Sequence, residues 1–261
     1  MNRANIEKIA KTPEDKLLLA KLWDKINSGI VRNIPVNSRF LSSRELELSR
    51  FLFGTVPGLQ AFGGYPEAER KMLFYLPEYL DESTLYESDS PIVCLRATFF
   101  QGDAPSHRDF LGALMGSGVA REAIGDICVG KGCCDFFAAA EVAPWLLQNF
   151  FSAGRTKLQL KQIPISDALI PAPEVKEIRD TLASVRLDSV ISSGFRVARS
   201  LAAQYVTTGR VSINGLPCEK PDKSIDEGSK ISVRGLGKIQ LKNVNGQTKK
   251  GRISVVIDRF V

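Results

Sequence analysis

The amino-acid sequence predicts an α+β protein: a helical N-terminal part, a ferredoxin-like middle domain, and a C-terminal domain of two helices packed on a small sheet. Three observations predict this class. Apolar residues recur every three or four positions near the N-terminus. Strands and helices then follow in the order of a split βαβ unit, and the final third has the order helix, helix, strand, hairpin, strand. We place the domains at residues 1–55, 56–165 and 181–261, with a linker and lead-in helix at 166–180.

In the N-terminal part, Thr12 followed by Pro13 and two acids has the pattern of a capped helix start. A helix is predicted from there to Gly29, and a second one from Ser42 to Gly54. Both helices carry apolar residues at helical intervals, so this part is predicted to be a mostly helical cap.

The middle domain opens at Gly63-Gly64, for which we favour a structural turn over phosphate binding because no Gly-Lys-Ser/Thr follows. The predicted strands are residues 71–76, 91–100, 124–129, 133–139 and 157–163, with helices at 106–115 and 141–151. Many RNA-recognition domains share this layout, but no pair of stacking aromatic residues in an RNP-type consensus is present. Fold analogy alone therefore does not predict that the middle domain binds RNA.

A proline-rich linker at residues 164–173 and a short helix at 174–184 are predicted to lead into the C-terminal domain. Asn214-Gly215 predicts a tight hairpin turn there, because both central residues of that turn need a positive φ. A second Asn-Gly pair, Asn245-Gly246, predicts another turn, and the chain is expected to close with a C-terminal β-hairpin.

Two helices of the C-terminal domain carry the predicted binding surface. The first starts near Leu187 and is stopped by Gly194, and the second runs from about Phe195 to Thr208. Spacing of three and four residues places several arginines on one side of the second helix. The predicted RNA-binding residues are Arg186, Arg196, Arg199, Ser200, Arg210, Asn214, Lys220 and Lys223. Two roles stay open, further phosphate contacts or a solubilising hairpin tip, for Lys249, Lys250 and Arg252.

The positive charge of the chain is concentrated in the same region. Residues 171–261 hold 16 Lys and Arg against 9 Asp and Glu, whereas residues 1–170 hold 19 against 20. The net charge of +6 therefore comes from the final third, which fits a polyanion partner for that part. A solvated charged surface would show the same imbalance. Nucleic acid is favoured because the positive charges coincide with the two-helix pattern of the C-terminal domain.

The C-terminal domain resembles the RNA-binding module named after small-subunit ribosomal protein S-four. The matching pieces are Arg186-Leu187-Asp188, Ala198-Arg199-Ser200 and residues 209–215 (GRVSING), followed by Gly228. Ser229 departs from the pattern, since the family usually has an acidic residue after that glycine. The position is a turn, and the resemblance still implies RNA binding.

Over roughly residues 35–261 the chain resembles the YlmH-like proteins of Gram-positive bacteria. The resemblance rests on residues 63–70 (GGYPEAER), on 106–112 with 121–127 (SHRDFLG and REAIGDI), and on the basic module with its tail. It implies a non-catalytic protein that binds structured RNA (rRNA or tRNA) and associates with the ribosome. It also implies a role in rescue or quality control of stalled large-subunit peptidyl-tRNA complexes, and some members are linked to cell division.

No catalytic signature accompanies these motifs. His107-Arg108-Asp109 resembles the catalytic loop of protein kinases, but Leu114 stands where its asparagine belongs. Five cysteines in an uneven pattern and one histidine predict neither disulfides nor a zinc site. We expect no enzyme activity, no cofactor or metal, no small-molecule substrate, no membrane insertion and a cytoplasmic location. Two alternatives stay open: an RNA-modifying enzyme with an unrecognised site in the middle domain, and a protein-interaction adaptor.

Overall fold

A computed structural model of the protein describes residues 3–87, 89–172, 174–247 and 251–260. The chain divides into two compact units, Met1–Pro171 (unit 1) and Ala172–Val261 (unit 2), and each is described by itself. Both units combine helices with sheets, so the predicted α+β class is confirmed. The finer division of unit 1 at residue 55 stays a prediction.

The first part of unit 1 is helical, as its capping signals predict. Its elements are α1 (Ile6–Ile9), α2 (Pro13–Arg32), β1 (Val36–Asn37), α3 (Ser43–Phe53), β2 (Leu59–Phe62) and β3 (Met72–Tyr75). The Thr12 hydroxyl accepts the N–H of Asp15 at 3.2 Å, and Ser42 forms a reciprocal capping box with Glu45 at the start of α3. The three strands form an antiparallel sheet in the order β1-β3-β2.

The second part of unit 1 has the predicted ferredoxin-like arrangement. Its elements are β4 (Ile92–Thr98), α4 (His107–Gly116), β5 (Ile124–Val129), β6 (Cys133–Ala139), α5 (Ala143–Asn149), β7 (Ser152–Ala153), β8 (Thr156–Lys157) and β9 (Gln159–Ile163). The main sheet has the order β5-β6-β4-β9, and all neighbouring strands are antiparallel. The β7–β8 hairpin is too short for the sequence to predict, since each strand has two residues.

Both faces of this main sheet are covered. On one face, alternate side chains such as Leu95 and Phe136 form a core with α4 and α5. On the other face, Phe137 packs in a second core with Phe40 and Phe74 from the first part of the unit. RNA-recognition domains stack bases on an open face of their sheet. In the described residues of unit 1, the two cores cover both faces of the main sheet.

Two of the unit 1 segments that carry the family resemblance, residues 63–70 and 121–127, bind each other through one carboxylate. Asp126 accepts the Tyr65 hydroxyl (2.7 Å) and the backbone N–H groups of Glu69 (2.7 Å) and Arg70 (3.0 Å). Burial, together with the Asp126 carboxylate, raises the pKa of the Tyr65 hydroxyl above its ordinary value, which keeps this hydroxyl a donor. The structural interpretation of this segment therefore fits its contacts.

Backbone carbonyls and a close approach complete this junction. The Arg70 guanidinium donates to the carbonyls of Ile124 (3.0 Å), Phe40 (3.2 Å) and Arg121 (3.3 Å), and so joins three separate segments. Gly64 has a φ of +101°, and a Cβ there would lie 2.2 Å from the ring of Phe137. Only glycine fits this turn, because a side chain would meet both a strained backbone and a buried ring.

Residues 165–170, at the start of the predicted linker, are part of unit 1 and pack against the rest of that unit. The buried Asp135 carboxylate accepts two hydrogen bonds from Arg96 (2.7 and 2.6 Å) and one from the Leu169 N–H (2.7 Å). Arg96 also donates to the Asp167 carbonyl at 2.9 Å. An ion pair in the main sheet therefore holds this stretch in place.

Unit 2 is a six-stranded sheet with two short helices. Its elements are β10 (Val175–Leu182), α6 (Leu187–Phe195), α7 (Arg199–Thr207), β11 (Val211–Ile213), β12 (Leu216–Pro217), β13 (Lys230–Val233), β14 (Gly237–Gln247) and β15 (Ile253–Phe260). The strand order is β10-β15-β14-β13-β11-β12. Buried residues such as Val190, Val206 and Ile257 form one core between the helices and the sheet. This unit contains the predicted pair of helices on a sheet.

The predicted lead-in helix at residues 174–184 is wrong: residues Val175–Leu182 form the edge strand β10. This strand pairs with β15 in continuous register from Val175–Phe260 to Leu182–Ile253. Its two buried side chains, Ile178 and Leu182, are four residues apart, a spacing that fits a helix and a strand equally well. Pairing with a distant strand decides the outcome, and this pairing is not visible in the local sequence.

The two Asn-Gly pairs of unit 2 behave differently. Asn214 and Gly215 have φ values of 49° and 81° and form the predicted hairpin turn between β11 and β12. The turn predicted at Asn245-Gly246 is wrong. Both residues lie inside β14, where the pairing with β15 shifts register. The expected antiparallel pairing of the last two strands, β14 and β15, is present, and both strands are longer than predicted.

Candidate nucleic-acid interface

The start of α6 is held by the loop that precedes β13. The Leu187 N–H donates to the Lys223 carbonyl at 2.9 Å, and Arg186 forms an isolated β-bridge with Ser224. The side chains of Lys220 and Lys223 are exposed on this loop. Three predicted RNA-binding residues, Arg186, Lys220 and Lys223, therefore come from segments that lie side by side.

Asp188 links two of the predicted arginines. Its carboxylate, in a residue only 5% exposed, accepts hydrogen bonds from Arg186 (3.3 and 3.3 Å) and from Arg199 (3.0 and 3.4 Å). Burial raises the pKa of Asp188, but the hydrogen bonds and charges of the two arginines outweigh it and hold the pKa below its ordinary value. One carboxylate cannot neutralise two guanidinium groups, and each guanidinium keeps three further N–H donors.

Arg196 lies at the end of α6, which differs from its predicted place in the second helix. The first helix continues through Gly194 to Phe195, because Gly194 packs closely on the sheet; a Cβ there would lie 2.7 Å from Ile239. Arg196 then ends the helix with a φ of 55°, in the left-handed region that favours glycine. The Arg196 side chain is exposed and so is accessible to a ligand.

The second helix, α7, starts at Arg199 and not at Phe195 as predicted. Ala198 precedes it and provides no side-chain cap. Arg199 and Ser200 are exposed in its first turn, where backbone N–H groups favour an anion. Arg196, Arg199 and Ser200 therefore gather around the junction of two helices and do not form a stripe along one helix.

Arg210 and Asn214, two other predicted contact residues, have contacts within unit 2. The Arg210 guanidinium lies over the Tyr205 ring at 4.5 Å and donates to the Arg234 carbonyl at 2.6 Å. The side-chain oxygen of Asn214 accepts the Lys230 N–H at 2.9 Å and so stabilises its turn. Both side chains are only partly exposed. RNA contact by these two residues, as by the other predicted contact residues, stays a prediction.

A cleft of 530 Å³ lies between β10 and α6, and the sequence analysis missed it. Arg196 and Arg199 line it together with Arg179 and Arg252. Arg252 was among the residues with two open roles; it donates to the hydroxyl of Thr181 at 3.0 Å and to its carbonyl. Lys249 and Lys250 lie outside the described residues.

The described residues show neither a reactive thiol among the buried cysteines Cys94 and Cys128 nor a cluster of metal ligands. Burial raises the pKa of the Cys94 thiol to about 12 and that of Cys128 to about 11, so neither is a thiolate at neutral pH. Within the described ranges, no group of three or more His, Cys, Asp or Glu side chains is placed to hold a metal ion. In the same part of the chain, no helix has both the length and the apolar character needed to cross a membrane.

These features define an α+β protein whose C-terminal unit carries a compact cluster of guanidinium groups. The chain is 34% identical over 222 residues to the "Ribosome-associated protein quality control protein P2" of Bacillus subtilis (strain 168), a match covering 84% of this chain and 85% of that protein. A family model described as "Putative RNA-binding domain in YlmH" matches residues 103–167. The chain belongs to the YlmH-like family.

A solved structure named "Cell division protein ylmH from Streptococcus pneumoniae" is also similar. Its TM-score is 0.50 at 18% sequence identity, and the match covers 61% of this chain and 97% of that chain. At this identity the likeness concerns the fold.

The matched family model names RNA binding in a part of the chain for which the sequence analysis did not predict it. Residues 103–167 hold 6 Lys and Arg against 7 Asp and Glu, so this part has no basic excess. It contains the sandwich helices α4 and α5 and three strands of the main sheet. No composition signal marks it, which is why reasoning from charge and from an RNP-type consensus did not find it.

Proposed function

We propose that this chain is a non-catalytic, cytoplasmic RNA-binding protein of ribosome-associated quality control that recognises structured rRNA or tRNA in stalled large-subunit peptidyl-tRNA complexes. The name of the B. subtilis relative and the family membership support the cellular role. The arrangement of Arg186, Arg196 and Arg199 around the α6–α7 junction is the observation that carries RNA binding. This arrangement also gives physical content to the resemblance of unit 2 to the S-four-type module.

The cluster suits a phosphate backbone for two reasons. Guanidinium groups present planar sets of N–H donors that match phosphate oxygens. The cluster is also preformed, because Asp188 orients Arg186 and Arg199 before a ligand arrives. A-form RNA hides base edges in a deep major groove, so a small cationic surface would recognise its backbone and shape.

Replacing Arg196 and Arg199 by glutamine should weaken binding to ribosomes and to tRNA about tenfold at physiological salt. Each phosphate contact releases counterions on binding, so a variant that lacks two contacts releases fewer. The magnitude of the slope of log affinity against log salt should therefore decrease by roughly 1.4–1.8 for the pair. Filter binding at several salt concentrations measures both quantities.

A matched control is Lys21→Gln with Lys25→Gln, two exposed cations on α2 of unit 1. This pair changes the net charge equally and should leave affinity and salt slope near those of the native protein. Equal losses of RNA affinity in both double variants would mean that only the net charge of the protein matters. An unchanged affinity in the arginine variant would refute the proposal.

Arg196→Gly separates a binding role from a structural one. The left-handed backbone costs an L-residue about 1–2 kcal/mol and costs glycine almost nothing. We therefore expect the free energy of unfolding to stay within about 1 kcal/mol of the native value or to rise, while RNA affinity falls. Thermal denaturation and filter binding on the same sample give both values; a fall in stability with unchanged affinity would contradict the role proposed for this side chain.

A further inference from the structure

We propose that the cleft between β10 and α6 is a second phosphate-binding site for RNA, so that the interface continues from the helix junction onto the edge of the sheet. This inference rests on the proposed function and deepens it. It assigns a binding role to Arg179, on a strand that the sequence does not predict.

The shape of the cleft follows from small side chains. Strand β10 is the outer strand of the six-stranded sheet, and α6 passes beside it. Ala183, Ser189, Ser192 and Ser193 line the space between them and leave a volume of 530 Å³. A volume of that size lies in the range of small-ligand sites and accommodates a nucleotide unit with its phosphate.

The charge around the cleft is positive. Four arginines and one carboxylate, Asp180, line it. Arg179 pairs with Glu177 at 2.8 Å, and Arg199 shares Asp188 with Arg186. Leaving Arg252 aside, the guanidinium groups of Arg179, Arg186, Arg196 and Arg199 face the carboxylates of Asp180, Glu177 and Asp188, so an anion in the cleft meets a surplus of one positive charge.

The donors and acceptors of the cleft are also unequal. The Ser193 hydroxyl donates to Asp180 at 2.7 Å, and the Thr181 N–H donates to the other Asp180 oxygen at 2.7 Å. The Ser192 hydroxyl donates to the Val197 carbonyl at 2.7 Å. The carboxylate is therefore already hydrogen-bonded, and the serine protons are in use. The guanidinium groups of Arg179, Arg196 and Arg199 are the donors left for a ligand, and a phosphate accepts from them at several oxygens.

Continuity with the first site favours a phosphate of RNA over a free nucleotide. Arg199 lines the cleft and also binds Asp188, which holds the helix-junction cluster together. Arg196, which also belongs to the helix-junction cluster, lines the cleft as well. A polynucleotide backbone that crosses the junction would meet the cleft next, and binding at both sites strengthens each.

The test compares Arg179→Gln with Lys176→Gln, an exposed cation on the same strand that does not line the cleft. The Arg179 side chain is 80% exposed, so its replacement should not disturb folding. We expect Arg179→Gln to weaken binding to tRNA and ribosomes about fivefold at physiological salt and to lower the salt slope by roughly 0.7–0.9. Lys176→Gln should leave both values unchanged.

The possible outcomes separate this inference from the function on which it rests. If Arg179→Gln has no effect while Arg196→Gln/Arg199→Gln loses RNA, the cleft assignment is overturned and the proposed function stands. If neither variant changes affinity, both fail. A parallel titration with adenosine monophosphate tests the other source of phosphate: saturable binding that needs Arg179 but does not compete with RNA would show a free-nucleotide site and overturn the inference.

Discussion

Replacing Asp135 by alanine should destabilise unit 1 by about 3 kcal/mol, because it leaves the Arg96 guanidinium, whose side chain is only 25% exposed, without its ion pair. Asp135 is 0% exposed, and Arg96 reaches it with two hydrogen bonds of 2.7 and 2.6 Å. The Leu169 N–H would lose its acceptor too. The unfolding transition of unit 1 can be followed by tryptophan fluorescence, since both tryptophans, Trp23 and Trp145, lie in this unit.

Two variants sharpen this measurement. Asp103→Ala removes an exposed acid of the same unit and should cost little. Arg96→Met with Asp135→Leu removes both charges and should restore much of the lost stability, because an apolar pair avoids the desolvation cost. A loss below about 1 kcal/mol in Asp135→Ala would mean that the ion pair does not hold the unit together.

Asp188→Asn should weaken RNA binding about tenfold, although it makes the binding surface more positive. Simple charge counting gives the opposite sign, since one negative charge is lost beside the phosphates. We expect the loss because the carboxylate orients the guanidinium groups of Arg186 and Arg199, and free rotation of both side chains makes binding entropically costly. Filter binding against tRNA and ribosomes decides the sign.

The control is Asp222→Asn, which removes the same charge from the exposed loop between Lys220 and Lys223. It should leave affinity unchanged or raise it, as charge counting predicts. If Asp188→Asn behaves like Asp222→Asn while its melting temperature stays native, Asp188 acts only as a local charge and does not position the arginines.

Local signals predicted most of the elements of unit 1. The cap predicted at Thr12 forms its hydrogen bond, and the helices predicted to begin at Ser42 and Ser106 are capped by those serines. The order of strands and helices gives the ferredoxin-like sheet. The failures come from long-range pairing. Residues Val175–Leu182 are a strand because β15 pairs with them, and Asn245-Gly246 stays in β14 because the same strand continues beside it.

The candidate site was predicted as a set of residues but not as an arrangement. The motif around Arg186 and Arg199 identified the arginines, yet nothing local shows that Asp188 binds both. The cleft depends on partners that are far apart in the chain: Thr181 and Arg252 are 71 positions apart and hydrogen-bond across the sheet. Sequence spacing carries no information on such a contact, so Arg179 was missed.

The main sheet of unit 1 is enclosed between two hydrophobic cores, and this restricts where the unit can evolve new contacts. Substitutions on β4 or β6 disturb packing before they reach any partner. New recognition around this sheet is therefore expected at its periphery, on the outer surfaces of α4 and α5 and on the loops that join the strands.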